Sequence, residues 1–174
     1  YNVWETARRH GVKRIVFASS NHAIGMYPRT ELLDSDSAAR PDTFYGLGKA
    51  FGELLGRMYF DKHGIEAACL RIGSCFPKPK DARMLSTWLS YADFAELCRC
   101  CLTTPLLGYA IVYGVSANER CWWDNRKVSY IGFRPKDSAE PFAAEVLAGP
   151  QPDPTSPTVV YQGGSFAANG YTRT

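Results

Sequence analysis

The sequence predicts an α/β fold built on a parallel sheet. Three runs, the apolar, β-branched residues 14–20 and the segments 66–72 and 110–115, have the length of buried strands. Segments of helical spacing separate them, and two end at Gly11 and Gly64, a residue type suited to closing a helix. The first two runs also lead into small polar residues, Ser19-Ser20-Asn21-His22 and Gly73-Ser74-Cys75. Open α/β sheets bind ligands just beyond the carboxyl ends of their strands.

Composition narrows the class. The chain has 174 residues, 45% hydrophobic and 21% charged, which is ordinary for a globular protein long enough to bury a core. A net charge of +3 gives no ground for expecting a nucleic-acid or membrane partner. No apolar run approaches the ~20 residues of a spanning helix, and no signal peptide is visible. Six irregularly spaced cysteines suggest no disulfide framework, and a cytoplasmic location is expected.

The elements follow in order. Residues 1–10 read as the interior of a helix with Val3, Trp4 and Ala7 on one face. A chain that starts inside a helix, without Met, is expected to be part of something longer. Residues 14–20 form the first strand. Residues 25–41, with Pro28 and few apolar side chains, form a loop. Pro41-Asp42-Thr43 offers an N-cap for a helix over 44–63, whose stripe of Phe51, Leu54, Leu55 and Met58 is expected to face the core. The second strand is 66–72. Residues 78–90 read as an irregular basic loop containing Arg83. A helix over 93–103 is capped by Asp93 or Ser90, and the third strand covers 110–115. Trp122-Trp123-Asp124-Asn125 opens a short helical segment ending at Gly132, and 138–147 is a last helix. Four prolines between 149 and 157 predict an extended arm, followed by an edge strand at Val159-Val160-Tyr161. The chain thus divides into a body, 1–148, and an extended C-terminal arm, 149–174.

Tyr45 and Lys49, four apart, share one face of the second helix. An ammonium beside a phenol favours the phenolate, which can take a proton from an alcohol while hydride leaves the same carbon. The same spacing also fits two solvent-facing residues on an amphipathic helix. Other chemistry is poorly supported. No Gly-rich phosphate loop follows a strand, and the single Cys98-x-x-Cys101 pair lies in an apolar helix without a second pair or a nearby His, so no metal is expected.

The order of these pieces is strand–Ser-Ser-Asn-His, loop, Tyr-x-x-x-Lys, strand–Gly-Ser-Cys, Arg-bearing loop. In this order the chain resembles the extended short-chain dehydrogenase/reductase (NAD-dependent epimerase/dehydratase) superfamily, with Ser20, Tyr45 and Lys49 matching its catalytic set. Within it the chain is similar to the uronate dehydrogenases, over residues 15–22, 71–75, 83–88, 122–125 and 161–166. The resemblance implies the C-terminal part of a Rossmann-type doubly wound parallel sheet, with the first, Gly-rich half missing from these residues. It implies NAD as cofactor and oxidation of a hexuronic acid, galacturonate or glucuronate, at C1 to an aldarolactone. Tyr45 would accept the proton and Lys49 would hold the nicotinamide ribose. Ser20, Asn21, His22 and Ser74 would contact the substrate, Cys75 would lie against the cofactor, and Arg83 would pair with the uronate carboxylate. The full-length protein is expected to be a homo-oligomer, and this chain alone to be inactive.

The sequence departs from the family pattern at Gly48, where Ser usually precedes the motif lysine. Two alternatives stay open: a sugar-nucleotide epimerase or dehydratase of the same superfamily, and a non-catalytic binding protein.

Overall fold

The computed structural model describes residues 1–172. Its elements are α1 (Asn2–Arg9), β1 (Arg14–Ser20), β2 (Leu33–Asp34), α2 (Phe44–His63), β3 (Glu66–Ile72), β4 (Ser74–Cys75), α3 (Met84–Thr87), β5 (Trp88–Leu89), α4 (Tyr91–Thr103), β6 (Tyr109–Gly114), β7 (Trp123–Asp124), α5 (Ala143–Ala148), α6 (Pro157–Val160) and α7 (Ser165–Ala168). The three long strands make the expected parallel sheet in the order β1-β3-β6. Its register sets Ser19 beside Arg71 and Arg71 beside Tyr113. Short parallel pairs, β2 with β7 and β4 with β5, extend the structure beyond the carboxyl ends of the long strands.

Helices cover both faces of the sheet. On one, Leu70 and Val112 pack with Leu97 and Cys101 of α4. On the other, Trp4 of α1 and Leu55 and Tyr59 of α2 enclose Ala67 and Ile65. Residues Ala67, Ala68, Cys69 and Leu70 of β3 are buried, as a central parallel strand requires. Thr43 caps α2 by accepting from the Gly46 N–H, and Ser90 caps α4 by accepting from the Asp93 N–H.

Helix α2 does not bury the stripe its spacing suggests. Phe51, Leu54 and Met58 are exposed, and of the four only Leu55 is buried. The inward face carries Ala50, Gly52, Glu53 and Gly56 instead. The reason is distance: the Phe17 ring fills the place of a side chain on Gly52, and the Trp4 ring crowds that on Gly56. Small residues let the helix lie close on the sheet, which turns its larger apolar residues outward. Val3, expected to share a buried face with Trp4 and Ala7, is likewise exposed.

Four further expectations change. The segment 78–90 is not irregular throughout, since α3 and β5 fold within it. Trp123 starts a two-residue strand rather than a helix, and a 3-10 turn over Arg126–Ile131 follows, closed by Gly132. The helix expected at 138–147 is a 3-10 turn, Glu140–Phe142, running into the shorter α5. The C-terminal segment is not an extended arm with an edge strand. It folds into α6 and α7 and returns to the body, where Gln162 N–H bonds the Tyr27 carbonyl at 2.9 Å and Gly163 N–H bonds the Gly25 carbonyl at 2.8 Å. Val159 and Val160 are taken into α6, Tyr161 makes only an isolated antiparallel bridge to Pro28, and the wholly buried Gln162 side chain anchors the segment. Its amide donates to the Pro28 and Glu31 carbonyls and accepts from Trp123 Nε1.

Candidate active site at the strand carboxyl ends

The chain turns of β1 and β3, the start of α2, the segment before α3 and the returning tail enclose a cavity of about 1110 Å³. Ser20, Asn21, His22, Tyr45, Lys49, Ser74 and Arg83 all line it. Seven of the eight residues expected at the site are therefore brought together from segments as distant as β1 and α3. Cys75 is the exception. It lies off the cavity wall on β4, where burial and the neighbouring Cys98 push its thiol up.

Ser20 ends β1 and its Oγ accepts from the His22 N–H at 3.1 Å, capping a 3-10 turn over Asn21–Ile24. That bond uses an acceptor lone pair and leaves the hydroxyl proton free to donate. Lys49 Nζ donates to the Ala18 carbonyl at 2.7 Å and stands 5.5 Å from the centre of the Tyr45 ring. One of its three protons is held by β1 and the ammonium remains beside the phenol. Tyr45 is half exposed, with its ring edge-on to His22 at 5.8 Å and to Phe166 at 6.4 Å. Gly48 faces open space, so no neighbour replaces the missing serine hydroxyl.

Arg83 is one of four cationic side chains on the cavity wall, with Arg29, Lys49 and Lys80. Its Nε donates to the Gln162 carbonyl at 2.6 Å and its Nη1 to Ser74 Oγ at 3.3 Å. With the Asn21 amide oriented to satisfy its neighbours, Nη2 donates to Asn21 at 2.6 Å while Asn21 donates to the Ile72 carbonyl at 3.0 Å. Each of these partners is neutral. Burial lowers the Arg83 pKa to about 10, and the nearby charges of Asp81 and Asp42 only partly offset this. A guanidinium held by neutral groups at a cavity wall suits a carboxylate that arrives from solution.

Behind the wall lies a buried ion pair. Arg71 donates from Nε and Nη2 to both carboxylate oxygens of Glu53, at 3.1 and 2.9 Å. Glu53 also accepts from Ser19 Oγ at 2.6 Å, and Arg71 Nη1 reaches the Ser37 carbonyl and the Tyr113 hydroxyl. Burial opposes the Arg71 charge, but the Glu53 bonds hold its pKa above the usual arginine value. Glu53 follows Lys49 by one helical turn, so this pair ties the helix that carries Tyr45 and Lys49 to the centre of the sheet.

Sequence reasoning missed Glu53, Arg71, Asp42, Gln162 and Phe166. For the first two, a signal was present: a glutamate on an inward helix position and an arginine inside an apolar strand each call for a partner. Among the described residues no cluster of His, Cys, Asp and Glu could hold a metal ion, and no helix is long and apolar enough to cross a membrane.

A parallel sheet sandwiched by helices, with polar groups and a Tyr/Lys pair gathered around a cavity at the strand ends, defines an α/β protein with its candidate site at the carboxyl edge of the sheet. The chain belongs to the NAD dependent epimerase/dehydratase family, which matches residues 1–103. It is 52% identical over 170 residues to uronate dehydrogenase of Pseudomonas syringae pv. tomato, a match covering 98% of this chain and 62% of that protein. The glucuronic acid dehydrogenase structure from Chromohalobacter salexigens superposes with a TM-score of 0.94 at 52% identity, covering 97% of this chain and 64% of that one. A variant of the Agrobacterium tumefaciens uronate dehydrogenase, complexed with NAD, gives a TM-score of 0.93 at 52% identity over 96% of this chain and 63% of that one. The chain therefore spans less than two thirds of the length of these relatives.

Proposed function

We propose that these residues form the sugar-binding and nicotinamide-proximal part of an NAD-dependent dehydrogenase that oxidises a hexuronic acid, galacturonate or glucuronate, at C1 to an aldarolactone. The observation that carries this reading is Arg83, a guanidinium at the cavity wall whose hydrogen-bond partners are all neutral. The similarity to proteins named uronate and glucuronic acid dehydrogenases supports the same substrate class.

On this reading Arg83 binds the substrate carboxylate, with Ser74 and Asn21 orienting the guanidinium. Asn21 and His22 line the sugar, and Ser20 donates its free proton to the C1 oxygen. Tyr45 takes the proton from the C1 hydroxyl. The cavity, at about 1110 Å³, is larger than one hexose needs. With one Lys49 proton on Ala18, two remain for ribose hydroxyls, so the residues fit a nicotinamide nucleotide. Bound there, NAD would supply the acceptor for the C1 hydride. Cys75 would meet it only through its backbone. No Gly-rich turn for the pyrophosphate follows a strand in this sequence, so the rest of the dinucleotide would lie against other parts of the protein.

The test uses the complete enzyme and NADH formation. Turnover of free galacturonate or glucuronate, and none of sugar nucleotides, is expected; the reverse would favour an epimerase or dehydratase. Arg83→Ala should raise KM for hexuronates by a loss of about 2–5 kcal/mol, the cost of leaving one partner of a buried charge pair alone. It should leave any slow turnover of uncharged aldoses unchanged. An equal loss on both would remove Arg83 from carboxylate binding.

The outward apolar face of α2, with Phe44, Leu47, Phe51 and Leu54 exposed, is the surface we assign to the expected homo-oligomer contact. Leu54→Lys should lower the assembly size in sedimentation velocity; an unchanged size would place the contact elsewhere.

A further inference from the structure

Asp42 has no place in the reading above, yet its surroundings are specific. It precedes the cap residue of α2, and its side chain has no exposed surface. Oδ2 lies 2.6 Å from Nδ1 of His22, and Oδ1 accepts from the Thr43 hydroxyl at 3.0 Å. Gly25 and Gly163 press against the carboxylate so closely that a side chain on either would collide with it. One of these glycines belongs to the loop after β1 and the other to the returning tail, so both segments close around this one group.

A buried carboxylate needs hydrogen-bond donors. When ionised it only accepts, so His22 Nδ1 must carry a proton. In neutral His22 this leaves Nε2 as a lone-pair acceptor. The ring is fixed on two further sides, stacked on Phe166 at 4.0 Å and edge-on to Tyr45 at 5.8 Å. Only 13% of the His22 side chain is exposed, and the residue lines the cavity. Among the described residues, no hydrogen bond engages Nε2.

We propose that Asp42 is a positioning residue: it locks His22 as the Nδ1–H tautomer, so that Nε2 accepts a hydrogen bond from a ring hydroxyl of the sugar. This rests on the sugar-acid reading of the cavity for the identity of the ligand, but not for the tautomer. The pair would recognise a hydroxyl away from the reacting carbon and reject a sugar that lacks it. A site built to pair a hydroxyl discriminates strongly against the deoxy analogue, because its own polar group is then left unpaired. Phe166 on the ring and Gly163 on the carboxylate make this recognition depend on the docked tail.

The test has two readouts in the complete enzyme. The first is a long-range proton–nitrogen correlation spectrum of the 15N-labelled protein without substrate, above the His titration range, with His22 assigned through His22→Gln. The Nδ1–H pattern is expected; an Nε2–H pattern for His22 in the unsubstituted protein overturns the proposal. This readout needs no turnover, so it stands even if hexuronates prove not to be the substrate. The second is kcat/KM for Asp42→Asn. A fall of about 10–100-fold is expected with the hexuronate, the range found when the partner that orients a metal-bound histidine is removed. The fall should shrink below about twofold with one of the 2-, 3- or 4-deoxy analogues, since the lost contact is already absent there. The same fall with every analogue would make Asp42 purely structural and overturn the proposal. Should Asp42→Asn fail to fold, the spectrum of the unsubstituted protein still decides the tautomer.

Discussion

Tyr45→Phe in the complete enzyme should lower kcat by about 10²-fold or more while leaving cofactor affinity close to its original value, the pattern of a lost general base. The substitution removes one hydroxyl from a half-exposed ring, so the edge contacts with His22 and Phe166 remain and little stability is lost. Among the titratable groups lining the cavity, Tyr45 has Lys49 Nζ 5.5 Å from its ring centre and lies on the same helix face. Steady-state kinetics on a hexuronate, with NADH binding followed by fluorescence, measure both effects. A variant that keeps most of its kcat would pass the proton-acceptor role to another group, and His22 would be the next to examine.

The second large effect concerns stability. Arg71 and Glu53 are 3% and 5% exposed at their side chains and are joined by two hydrogen bonds. Arg71→Met leaves the Glu53 carboxylate buried with Ser19 as its remaining bonded donor, and Glu53→Gln leaves an uncompensated guanidinium. Either should cost about 3–5 kcal/mol, the usual penalty for an orphaned buried charge. The paired change Arg71→Met with Glu53→Leu should cost less than the sum of the two single changes, because no charge is left behind. Urea denaturation of the three variants measures this. Single variants within about 0.5 kcal/mol of the parent would show that water reaches the pair, as at ordinary surface positions. Since Glu53 sits one turn from Lys49, the single variants should also lose turnover through displacement of α2.

The long strands and α2 were readable from local pattern because each has a period or length that only one element satisfies. Residues 14–20 and 66–72 match the observed strands, and 44–63 matches the observed helix. The returning tail was not readable. Its prolines and glycines describe what the backbone avoids, and nothing local says that Gln162 will be buried against Trp123 and Pro28. Helix α2 misled for a related reason. Its apolar stripe is genuine, but which face turns inward depends on how near the sheet lies, and Phe17 and Trp4 decide that from other elements.

By itself the sequence determined the parallel α/β class, the positions of the strands and the residue types at their carboxyl ends, because these follow from spacing and side-chain chemistry along the chain. The resemblance added the family and the expected roles of Ser20, Tyr45, Lys49 and Arg83. Only the tertiary structure decided which partners those residues have. Asp42 looked like a helix cap and instead holds His22, while Cys75 lies off the cavity wall. Arg83, expected in a loose basic loop, sits at the start of α3 among neutral acceptors. Pairings of this kind join residues far apart in the chain: Arg83 and Gln162 are 79 positions apart, and Pro28 and Gln162 are 134 apart. They depend on where the folded backbone brings two groups together, a distance that no local pattern encodes.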